Sequence, residues 1–271
     1  MTIFITPDAI SLSCRSAASA AVDIDVVAET KSTNADLLAR ACALQHPTLL
    51  VALAQTAGRG RAGRNWQSDA DSLTFSLAWP LRHAVTTLLG LPLAIGVAVA
   101  DVLAARGVRV ALKWPNDILL EGRKLAGILI ETTGGNAVER QAWAVIGIGI
   151  NLRKATAADD AIDTLLPASA ALPATDRNVL LAELLDALMA TLQQFEESGF
   201  APSVARWNAL HAHAGRQVDI VDQGRILHSG AALGVDASGR LLLDTGAQVV
   251  PIVAGDVSLR VSQKAPHAAA D

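Results

Sequence analysis

The residues from Gln55 to Trp66 are those whose types and spacing point most directly to chemistry. They read Gln-Thr-Ala-Gly-Arg-Gly-Arg-Ala-Gly-Arg-Asn-Trp, with three glycines, three arginines and no acidic residue. Arginine binds phosphate or carboxylate oxygens through its planar fork, glycine lets the backbone come close to a ligand, and tryptophan offers a flat face to a base. The segment indicates either a loop that closes over an anionic, nucleotide-bearing ligand or a solvent-exposed basic hairpin tip.

The elements on both sides of this segment are predicted to be strands. An apolar run over residues 49–54 precedes it, and the alternating run Leu-Thr-Phe-Ser-Leu over residues 73–77 follows it. Alternation of apolar and polar residues is typical of a half-buried strand. The sequence therefore predicts a long cationic loop between two strands.

A second group of polar residues is predicted to gather on a hairpin. The run Lys-Trp-Pro-Asn-Asp at 113–117 follows a predicted strand over 108–112, and a turn at 121–123 leads into a return strand over 124–131. Proline cannot donate to a strand ladder, so the chain bends here or lies at a sheet edge. The hairpin brings four polar residues into one region: Lys113, Asn116, Asp117 and Lys124.

A strand with two glycines is predicted over residues 142–150. Gly147 and Gly149 alternate along it, so one face carries no side chain at these two positions. Glycine within a strand is typical of a bulge or of a ligand or backbone that approaches closely. A flat ligand lying against the sheet, next to Asn151, would account for both glycines.

The run Ser32-Thr33-Asn34 precedes a helix that is predicted to extend to about Cys42. Serine or threonine at this place can cap the helix, and caps of this kind are common. The free N–H groups at the start of a helix can also bind a carboxylate or phosphate. Both interpretations of the run remain open from its residues alone.

Composition limits the class of protein. The chain has 271 residues, of which 51% are hydrophobic and 18% charged, so a sizeable packed core is expected. The net charge of −4 argues against general nucleic-acid binding and favours a small anionic substrate for the local basic segment. Cys14 and Cys42 make no disulfide framework and the N-terminus lacks the basic start of a secretory signal, so we expect a cytoplasmic protein.

Other patterns predict the remaining elements and exclude some sites. The apolar run over 88–105 is predicted to be a buried helix rather than a membrane span, because it contains a proline and an aspartate. A helix is predicted over 177–197, and short strands after residue 216 indicate a small β-barrel. The sequence has no phosphate-binding P-loop, and no metal site is expected at His211 and His213, which lack supporting cysteines or acids.

Together these segments resemble the biotin–protein ligases of the bacterial type. The resemblance implies an α/β (α+β) catalytic domain like that of class II aminoacyl-tRNA synthetases, followed by an SH3-like β-barrel. It also implies that biotin and Mg²⁺-ATP form biotinyl-5′-AMP and pyrophosphate, and that biotin then passes to a lysine of the biotin carboxyl carrier protein of acetyl-CoA carboxylase or a related carboxylase. The motifs that carry it are Ser32-Thr33-Asn34, residues 55–66, residues 113–117 with 124–128, residues 147–151 and Ser258-Leu259-Arg260.

The resemblance implies a role for each matching residue. Lys124 and Arg61 would be catalytic, and Asp117 is the candidate protein ligand for a Mg²⁺ that is held mainly by the ATP phosphates. Trp66 would cover the adenine. The residues similar to the family's biotin contacts are Ser32, Thr33, Asn34, Gln55, Arg59, Gly60, Arg61 and Lys124. The residues similar to its ATP contacts are Arg61, Arg64, Trp66, Asn116, Asp117, Asn151 and Arg260.

The same resemblance predicts the domains, with residues 23–212 as the catalytic domain and 213–262 as the SH3-like domain. Residues 1–22 are weakly patterned and residues 263–271 are expected to be a loose tail. Some relatives carry an N-terminal DNA-binding domain, for which residues 1–22 are too short, so we expect no DNA binding. The family loop often has arginine where this chain has Ala62, and activity is expected to survive that change.

Two other functions stay open at this point. A lipoate–protein ligase would share the fold and reaction type, although the Gly-Arg-Gly-Arg run and the Lys-Trp-Pro-Asn-Asp hairpin favour biotin. A non-enzymatic RNA-binding protein could use the basic segment on the RNA backbone. The net charge of −4 and an aromatic content of 3% disfavour that class.

Overall fold

The computed structural model describes residues 5–68, 71–82, 88–134, 142–152, 172, 176–255 and 257–262. Its helices are α1 (Pro7–Ser13), α2 (Ala17–Ala20), α3 (Thr33–Arg40), α4 (Leu91–Ala105), α5 (Arg177–Ser198) and α6 (Val204–Ala209). The strands of the first sheet are β1 (Asp23–Thr30), β2 (Thr48–Arg59), β3 (Asn65–Ser68), β4 (Ser72–Leu81), β5 (Ala111–Lys113), β6 (Asp117–Leu120), β7 (Arg123–Thr133) and β8 (Ala142–Asn151). The strands of the second sheet are β9 (Gln217–Asp222), β10 (Arg225–Val235), β11 (Leu241–Asp244), β12 (Val249–Ile252) and β13 (Ser258–Val261).

The first sheet is the scaffold of the large domain and has the strand order β1-β2-β4-β8-β7-β6-β5, with β3 paired to β2. The β1–β2 pair is parallel and the other pairs are antiparallel. Strand β4 has an apolar face and a polar face, because successive residues of a strand point to opposite sides. Leu73, Phe75 and Leu77 are buried in the main core with α4 and α5, whereas Thr74 and Ser76 lie on the side of α3.

The helix α4 confirms the expectation of a buried helix in the run 88–105. It covers Leu91–Ala105, starts with a proline in its first turn and packs against α5 and the sheet. The helix begins at Leu91, three residues after the start of the predicted run. In the part of the chain that the structure describes, no helix is long and apolar enough to cross a membrane.

The weakly patterned N-terminal segment contains two short helices, which the sequence did not predict. Thr6 caps α1 and Ser16 caps α2 through their side-chain oxygens. Both helices pack on α5, where the carboxylate of Asp186 accepts hydrogen bonds from the N–H groups of Arg15 and Ser16. These helices form on a surface supplied by a distant part of the chain, which explains their weak local pattern.

The second sheet is antiparallel, with the strand order β12-β11-β10-β9-β13. It corresponds to the predicted small barrel, which is not closed, since no ladder joins β12 to β13 among residues 217–255 and 257–262. Three glycines with left-handed backbone conformation lie in the turns between its strands: Gly224, Gly239 and Gly246. The predicted tail 263–271 and most of residues 153–176 lie outside the described residues.

The two sheets meet at Trp114, whose side chain is fully buried. Its indole N–H donates to the carbonyl of Gly239 at 3.2 Å. Gly239 has a φ of +80°, and a Cβ on it would lie 2.7 Å from Leu93 Cδ1 and 2.8 Å from Gly90 Cα. On Gly90, in turn, a Cβ would overlap the side chain of Phe200. The junction therefore depends on close backbone approach at two glycines.

Candidate active site

The arginine-rich segment is a β-hairpin with a short tip, so the prediction of a long loop over 55–66 is wrong. Strand β2 continues to Arg59, and β3 begins at Asn65, which is paired with it. Residues 60–64 form the tip, in which Ala62 has a φ of 52° and Gly63 a φ of +71°. The tip closes with a hydrogen bond of 2.7 Å from the N–H of Gly60 to the carbonyl of Arg64. Arg59, Arg61 and Arg64 therefore lie at the end of a two-stranded ribbon formed by β2 and β3.

The start of α3 is joined to β2 through Gln55. Ser32 caps the helix by accepting a hydrogen bond from the N–H of Ala35, as predicted for a capping residue. Both the N–H and the Oγ1 of Thr33 donate to Gln55 Oε1, at 2.8 and 3.0 Å. Because the oxygen of Gln55 accepts both bonds, its Nε2 is the atom left to donate to other partners.

The side chain of Asn34 is held from three directions. Its Oδ1 lies 2.6 Å from the Ser76 hydroxyl, which is also 2.7 Å from Thr33 Oγ1. Its Nδ2 donates to the carbonyl of Leu129 at 3.3 Å and to Glu131 Oε2 at 2.8 Å. The same carboxylate oxygen of Glu131 pairs with Arg59 at 3.0 Å. We refer to this network as the α3 cluster, which consists of Thr33, Asn34, Gln55, Arg59, Ser76 and Glu131.

Gly147 and Gly149 make room for protein side chains, which corrects the expectation that a flat ligand covers both of them. A Cβ on Gly147 would overlap the carboxamide of Asn34, and a Cβ on Gly149 would overlap the indole of Trp66. Gly127, opposite Gly149 in the ladder, would bring a Cβ to 3.4 Å from the same indole. We call the surface formed by Gly147, Gly149 and Gly127 the bare strip, because none of the three has a side chain. Asn34 packs on one end of the bare strip and Trp66 on the other.

Lys124 lies between an aromatic ring and a carboxylate. Its Nζ is 2.7 Å from Asp117 Oδ1 and 5.7 Å from the centre of the Trp66 ring, which is within the range of a cation–π contact. The indole N–H of Trp66 is buried and has no acceptor among the described residues. Asn151, on the next strand, donates its Nδ2 to the Lys124 carbonyl at 3.3 Å.

Asp117 is a carboxylate surrounded by positive charge. Burial would raise its pKa, but the charge of Lys124 and that of Lys113 act in the opposite direction. A hydrogen bond from Lys124 and the charge of Arg64 add to that effect, so the pKa lies below its ordinary value. With several cations around one carboxylate, this region keeps a surplus of positive charge that suits a polyanion.

Arg61, at the hairpin tip, connects three parts of the molecule. Its Nη1 donates to Asn116 Oδ1 at 3.0 Å, and its Nη2 donates to the carbonyl of Gly255 and, at 3.3 Å, to that of Val257. Asn116 donates in turn to the carbonyl of Ile128 at 2.8 Å. We call this second network the hairpin cluster, which consists of Arg61, Arg64, Trp66, Lys113, Asn116, Asp117 and Lys124.

Arg260 is the predicted site residue whose placing differs most from the others. It is exposed on β13, where its backbone lies opposite Asp219. Its connection to the clusters is indirect, since the preceding residues Gly255 and Val257 accept hydrogen bonds from Arg61. The structure thus brings the other predicted residues onto one face of the first sheet and places Arg260 on the neighbouring sheet.

The described residues contain no group of three or more histidine, cysteine or acidic side chains that could hold a metal ion. A divalent ion at Asp117 would therefore need most of its ligands from phosphate oxygens, which is common for Mg²⁺. His211 and His213 are buried near Trp207 at the junction of the two sheets. Burial lowers the pKa of each histidine to about 4, and a nearby charge adds to the effect: His213 for His211, Lys113 for His213.

Sequence reasoning missed Ser76 and Glu131, two members of the α3 cluster. Ser76 lies in the alternating run of β4, so its face could have been assigned once the strand was predicted. Glu131 was placed in the return strand, but nothing local indicates its partners. Those partners depend on β7 and α3 meeting across the sheet, at a sequence separation of 97 residues.

Comparison with known proteins gives matches over both sheets. The profile of the Biotin/lipoate A/B protein ligase family matches residues 26–151, and that of the Biotin protein ligase C terminal domain matches residues 213–260. The bifunctional ligase/repressor BirA of Salmonella typhimurium is 38% identical over 247 residues, which are 89% of this chain and 75% of that protein.

Two further relatives agree with these matches. The biotin–[acetyl-CoA-carboxylase] ligase of Mycobacterium tuberculosis is 38% identical over 244 residues, which are 86% of this chain and 88% of that protein. Among solved structures, the biotin protein ligase from Aquifex aeolicus in complex with biotin and ATP has a TM-score of 0.72 at 28% identity. That superposition covers 89% of this chain and 99% of the other.

Proposed function

The chain belongs to the biotin/lipoate A/B protein ligase family, and on this premise we propose how its residues divide the work of a biotin–protein ligase. The enzyme activates biotin with ATP to biotinyl-5′-AMP and transfers the biotinyl group to a carboxylase. One observation carries the division of work. The hydrogen-bonded α3 cluster and the cationic hairpin cluster lie at the two ends of the same bare strip of sheet.

The α3 cluster is the proposed site for the ureido ring of biotin. Gln55 Oε1 is occupied by Thr33, so Gln55 Nε2 can donate to the ureido carbonyl. Ser32 and the backbone from Arg59 to Gly60 complete this end of the site, in line with the resemblance. A neutral ring needs donors and acceptors at fixed places, and buried, mutually bonded side chains provide them.

The hairpin cluster is the proposed site for ATP. Trp66 would cover the adenine, and its unpaired indole N–H would meet an acceptor on the nucleotide. Arg61, Arg64 and Asn116 would bind the phosphates, with Asn151 and Arg260 at the edge of the nucleotide. Mg²⁺, held by the phosphates with Asp117 as the candidate protein ligand, would offset negative charge on the departing pyrophosphate.

Lys124 is proposed to act in the first step. A biotin carboxylate oxygen attacks the α-phosphorus, a P–O bond forms, and the bond to the pyrophosphate breaks. Two anions must meet, so a cation between them lowers the barrier by holding both reactants and stabilising the developing charge. Lys124 lies next to Trp66 and already bears a carboxylate partner in Asp117, which a substrate oxygen can replace.

The second step needs no nucleophile from the enzyme. The neutral amine of the acceptor lysine attacks the biotinyl carbonyl, the amide bond forms, AMP leaves with the bonding electron pair, and the nitrogen loses a proton to solvent. The mixed anhydride must be kept from water until the carrier arrives. Arg61 is proposed to retain it, because the hairpin tip lies over Asn116 and is fastened to residues 255 and 257.

Retention by Arg61 can be tested with Arg61→Gly. We expect this variant to release biotinyl-AMP, so that bystander proteins mixed with the enzyme become biotinylated. Mass spectrometry of the modified lysines measures the loss of selectivity. An Arg61→Gly enzyme that labels only the carrier would refute the role. Arg82→Gly serves as a control, because Arg82 is 80% exposed and follows the end of β4 that pairs with the start of β2, whereas the tip follows the end of β2.

The partner is proposed to be the biotin carboxyl carrier domain of acetyl-CoA carboxylase or a related carboxylase, in the cytoplasm. Residues 23–212 are proposed as the catalytic domain and 213–262 as the C-terminal domain. We propose that the enzyme acts without binding DNA or a membrane. In support, the N-terminal helices α1 and α2 are packed against α5 and do not form a separate unit.

The decisive experiment is isotope exchange of labelled pyrophosphate into ATP, with biotin or lipoate as the acid. Exchange that depends on biotin, and is at least about a hundredfold weaker with lipoate, is the expected result. Exchange supported by lipoate alone would reassign the substrate. RNA binding that weakens with salt, together with a lack of exchange activity with either acid, would support the non-enzymatic alternative.

A further inference from the structure

Glu131 lies on the ligand-facing side of β7 and joins two groups of the α3 cluster. One carboxylate oxygen accepts from Asn34 Nδ2 at 2.8 Å and pairs with Arg59 at 3.0 Å. Its side chain is 28% exposed, whereas Asn34 is 4% exposed. The carboxylate therefore forms the solvent-side boundary of a network whose inner members are buried.

The contact with Glu131 fixes the carboxamide of Asn34. Its two amide hydrogens are directed to Glu131 and to the carbonyl of Leu129, while its oxygen faces the Ser76 hydroxyl. Gly147 leaves the space that this arrangement needs. With its donors engaged, Asn34 acts as a support for the residues around it, and rotation of its amide would place like groups against each other.

The ion pair with Arg59 spans the sheet. Arg59 ends β2 and Glu131 lies on β7, and two strands, β4 and β8, run between them. The pair therefore joins the part of β2 that pairs with β3 to β7 over the face of the sheet, since β2 pairs with β4 only from Thr48 to Ala52. It also leaves this end of the site with little net charge, which suits a neutral ring better than an anion.

We propose that Glu131 is a positioning residue for biotin, holding Asn34 and Arg59 so that the wall facing the ureido ring is set before the ligand arrives. The proposal rests on the assignment of biotin to the α3 cluster. Glu131 acts through these two residues and takes no part in the chemistry at the α-phosphorus. Its loss should weaken binding of the ring and leave the ATP side unchanged.

Glu131→Gln is the test variant because it keeps the size of the side chain and removes its charge. We expect the KM for biotin in pyrophosphate exchange to rise about tenfold, the scale of a lost charged hydrogen bond. The Ki of biotin methyl ester, which lacks the carboxylate, should rise by the same factor, and the KM for ATP should stay within about twofold. Glu131→Asp, which withdraws the carboxylate by one methylene, should show a smaller rise.

Glu183→Gln is the matched control. Glu183 is 30% exposed and pairs with Arg106 at 2.6 Å, but it lies on α5, behind the sheet. It should leave all three constants unchanged, even if both variants lower Tm alike. Unchanged biotin KM in Glu131→Gln, a rise for biotin but not for its ester, or an equal rise for ATP would overturn the proposal. A wild-type enzyme without biotin-dependent exchange would instead refute the proposed function.

Discussion

The α3 cluster and the hairpin cluster meet on one sheet but differ in how their side chains are held. In the α3 cluster, Thr33, Asn34 and Ser76 are at least 96% buried and their bonds are made within the protein. In the hairpin cluster, Lys124 is 27% exposed, and Arg61 donates to backbone carbonyls of Gly255 and Val257 between β12 and β13. One cluster is set in advance, and the other consists of cations that can exchange partners.

This difference follows from what each region is proposed to hold. A neutral ring offers few strong contacts, so the protein must fix its donors and acceptors beforehand. Phosphates attract cations over a distance, so their contacts can form as the ligand enters and break as pyrophosphate leaves. On this proposal, the α3 cluster at the Gly147 end provides specificity for the ring. The hairpin cluster at the Gly149 end provides contacts that form and break during turnover.

The largest expected effect is at Lys124. Lys124→Ala should slow biotin-dependent pyrophosphate exchange by about 10²–10³-fold, the scale of removing one group that stabilises developing charge. Transfer from chemically prepared biotinyl-AMP to the carrier should fall far less, because that step uses the acceptor amine. Single-turnover measurements of both steps provide the check. Pyrophosphate release at the wild-type rate in this variant would show that the adenylation step does not depend on Lys124.

Alanine substitutions at Gly147 and Gly149 test the two clusters independently of each other. Gly147→Ala forces a methyl group against Asn34, and Gly149→Ala forces one against Trp66. Overpacking of this kind costs about 1–3 kcal/mol, so we expect changes of roughly tenfold. The KM for biotin should rise in Gly147→Ala and the KM for ATP in Gly149→Ala.

Gly96→Ala provides the control for this pair. Gly96 lies in α4, where a Cβ would make an ordinary contact of 3.6 Å with Leu112. Steady-state kinetics with each substrate varied in turn should show both constants unchanged in it. The division into two clusters would fail if Gly147→Ala and Gly149→Ala raised the same KM.

A pH series tests whether either cluster contributes to acid instability. His211 and His213 have a pKa of about 4 in the folded chain, against about 6.5 when unfolded. The unfolded chain binds more protons between these values, so stability is complete above pH 6.5 and falls as the pH drops toward 4. Between pH 7 and pH 5 we expect the free energy of unfolding to fall by about 2–3 kcal/mol per buried histidine. Tm should fall by several degrees as a result.

The measurement is thermal unfolding at several pH values, with His213→Leu as the test variant. Its Tm should fall less steeply with acid than that of the wild type. His228→Gln, at an exposed position of β10, should match the wild type. If the slope of Tm against pH is the same in His213→Leu as in the wild type, the acid instability arises in one of the two clusters and not at the junction.

The smallest effect is expected at the hairpin tip. Ala62 has a φ of 52°, which costs an alanine about 1 kcal/mol more than a glycine. Ala62→Gly should raise Tm by about 2–4 °C, whereas Ala57→Gly, in the extended part of β2, should lower it. Calorimetry measures the Tm of both variants. If both substitutions change Tm in the same direction, backbone strain at Ala62 does not lower the stability of the hairpin.

The sequence predicted the chemistry of the hairpin cluster better than the shape of its support. Lys124, Asp117 and Trp66 were recognisable by type and order, and they do lie together. The extension of β2 to Arg59 was missed because glycine and arginine are weak strand formers, and pairing with β3 overrides that preference. Gly147 and Gly149 were read as the place of a flat ligand, but the side chains of Asn34 and Trp66 occupy that space, and their approach depends on contacts between distant parts of the chain.

Other features could not be predicted from local pattern at all. The helices α1 and α2 are stabilised by Asp186 on α5, which lies 170 residues away in the chain from Ser16. The open edge between β12 and β13 depends on how strongly the second sheet curls, and the turns that define its strands do not determine this. The partners of Glu131 depend on strand order. Each of these is a long-range property, in which tertiary packing decides between local options.

The glycine contact at the junction limits how this protein could be recombined with its relatives. A chimera that exchanged residues 213–262 would have to bring a glycine at position 239, since any side chain there would press on Leu93 and Gly90. It would also need a free carbonyl for the Trp114 indole. The two sheets are therefore poor building blocks for modular exchange, and inheritance as one unit is the arrangement that this junction favours.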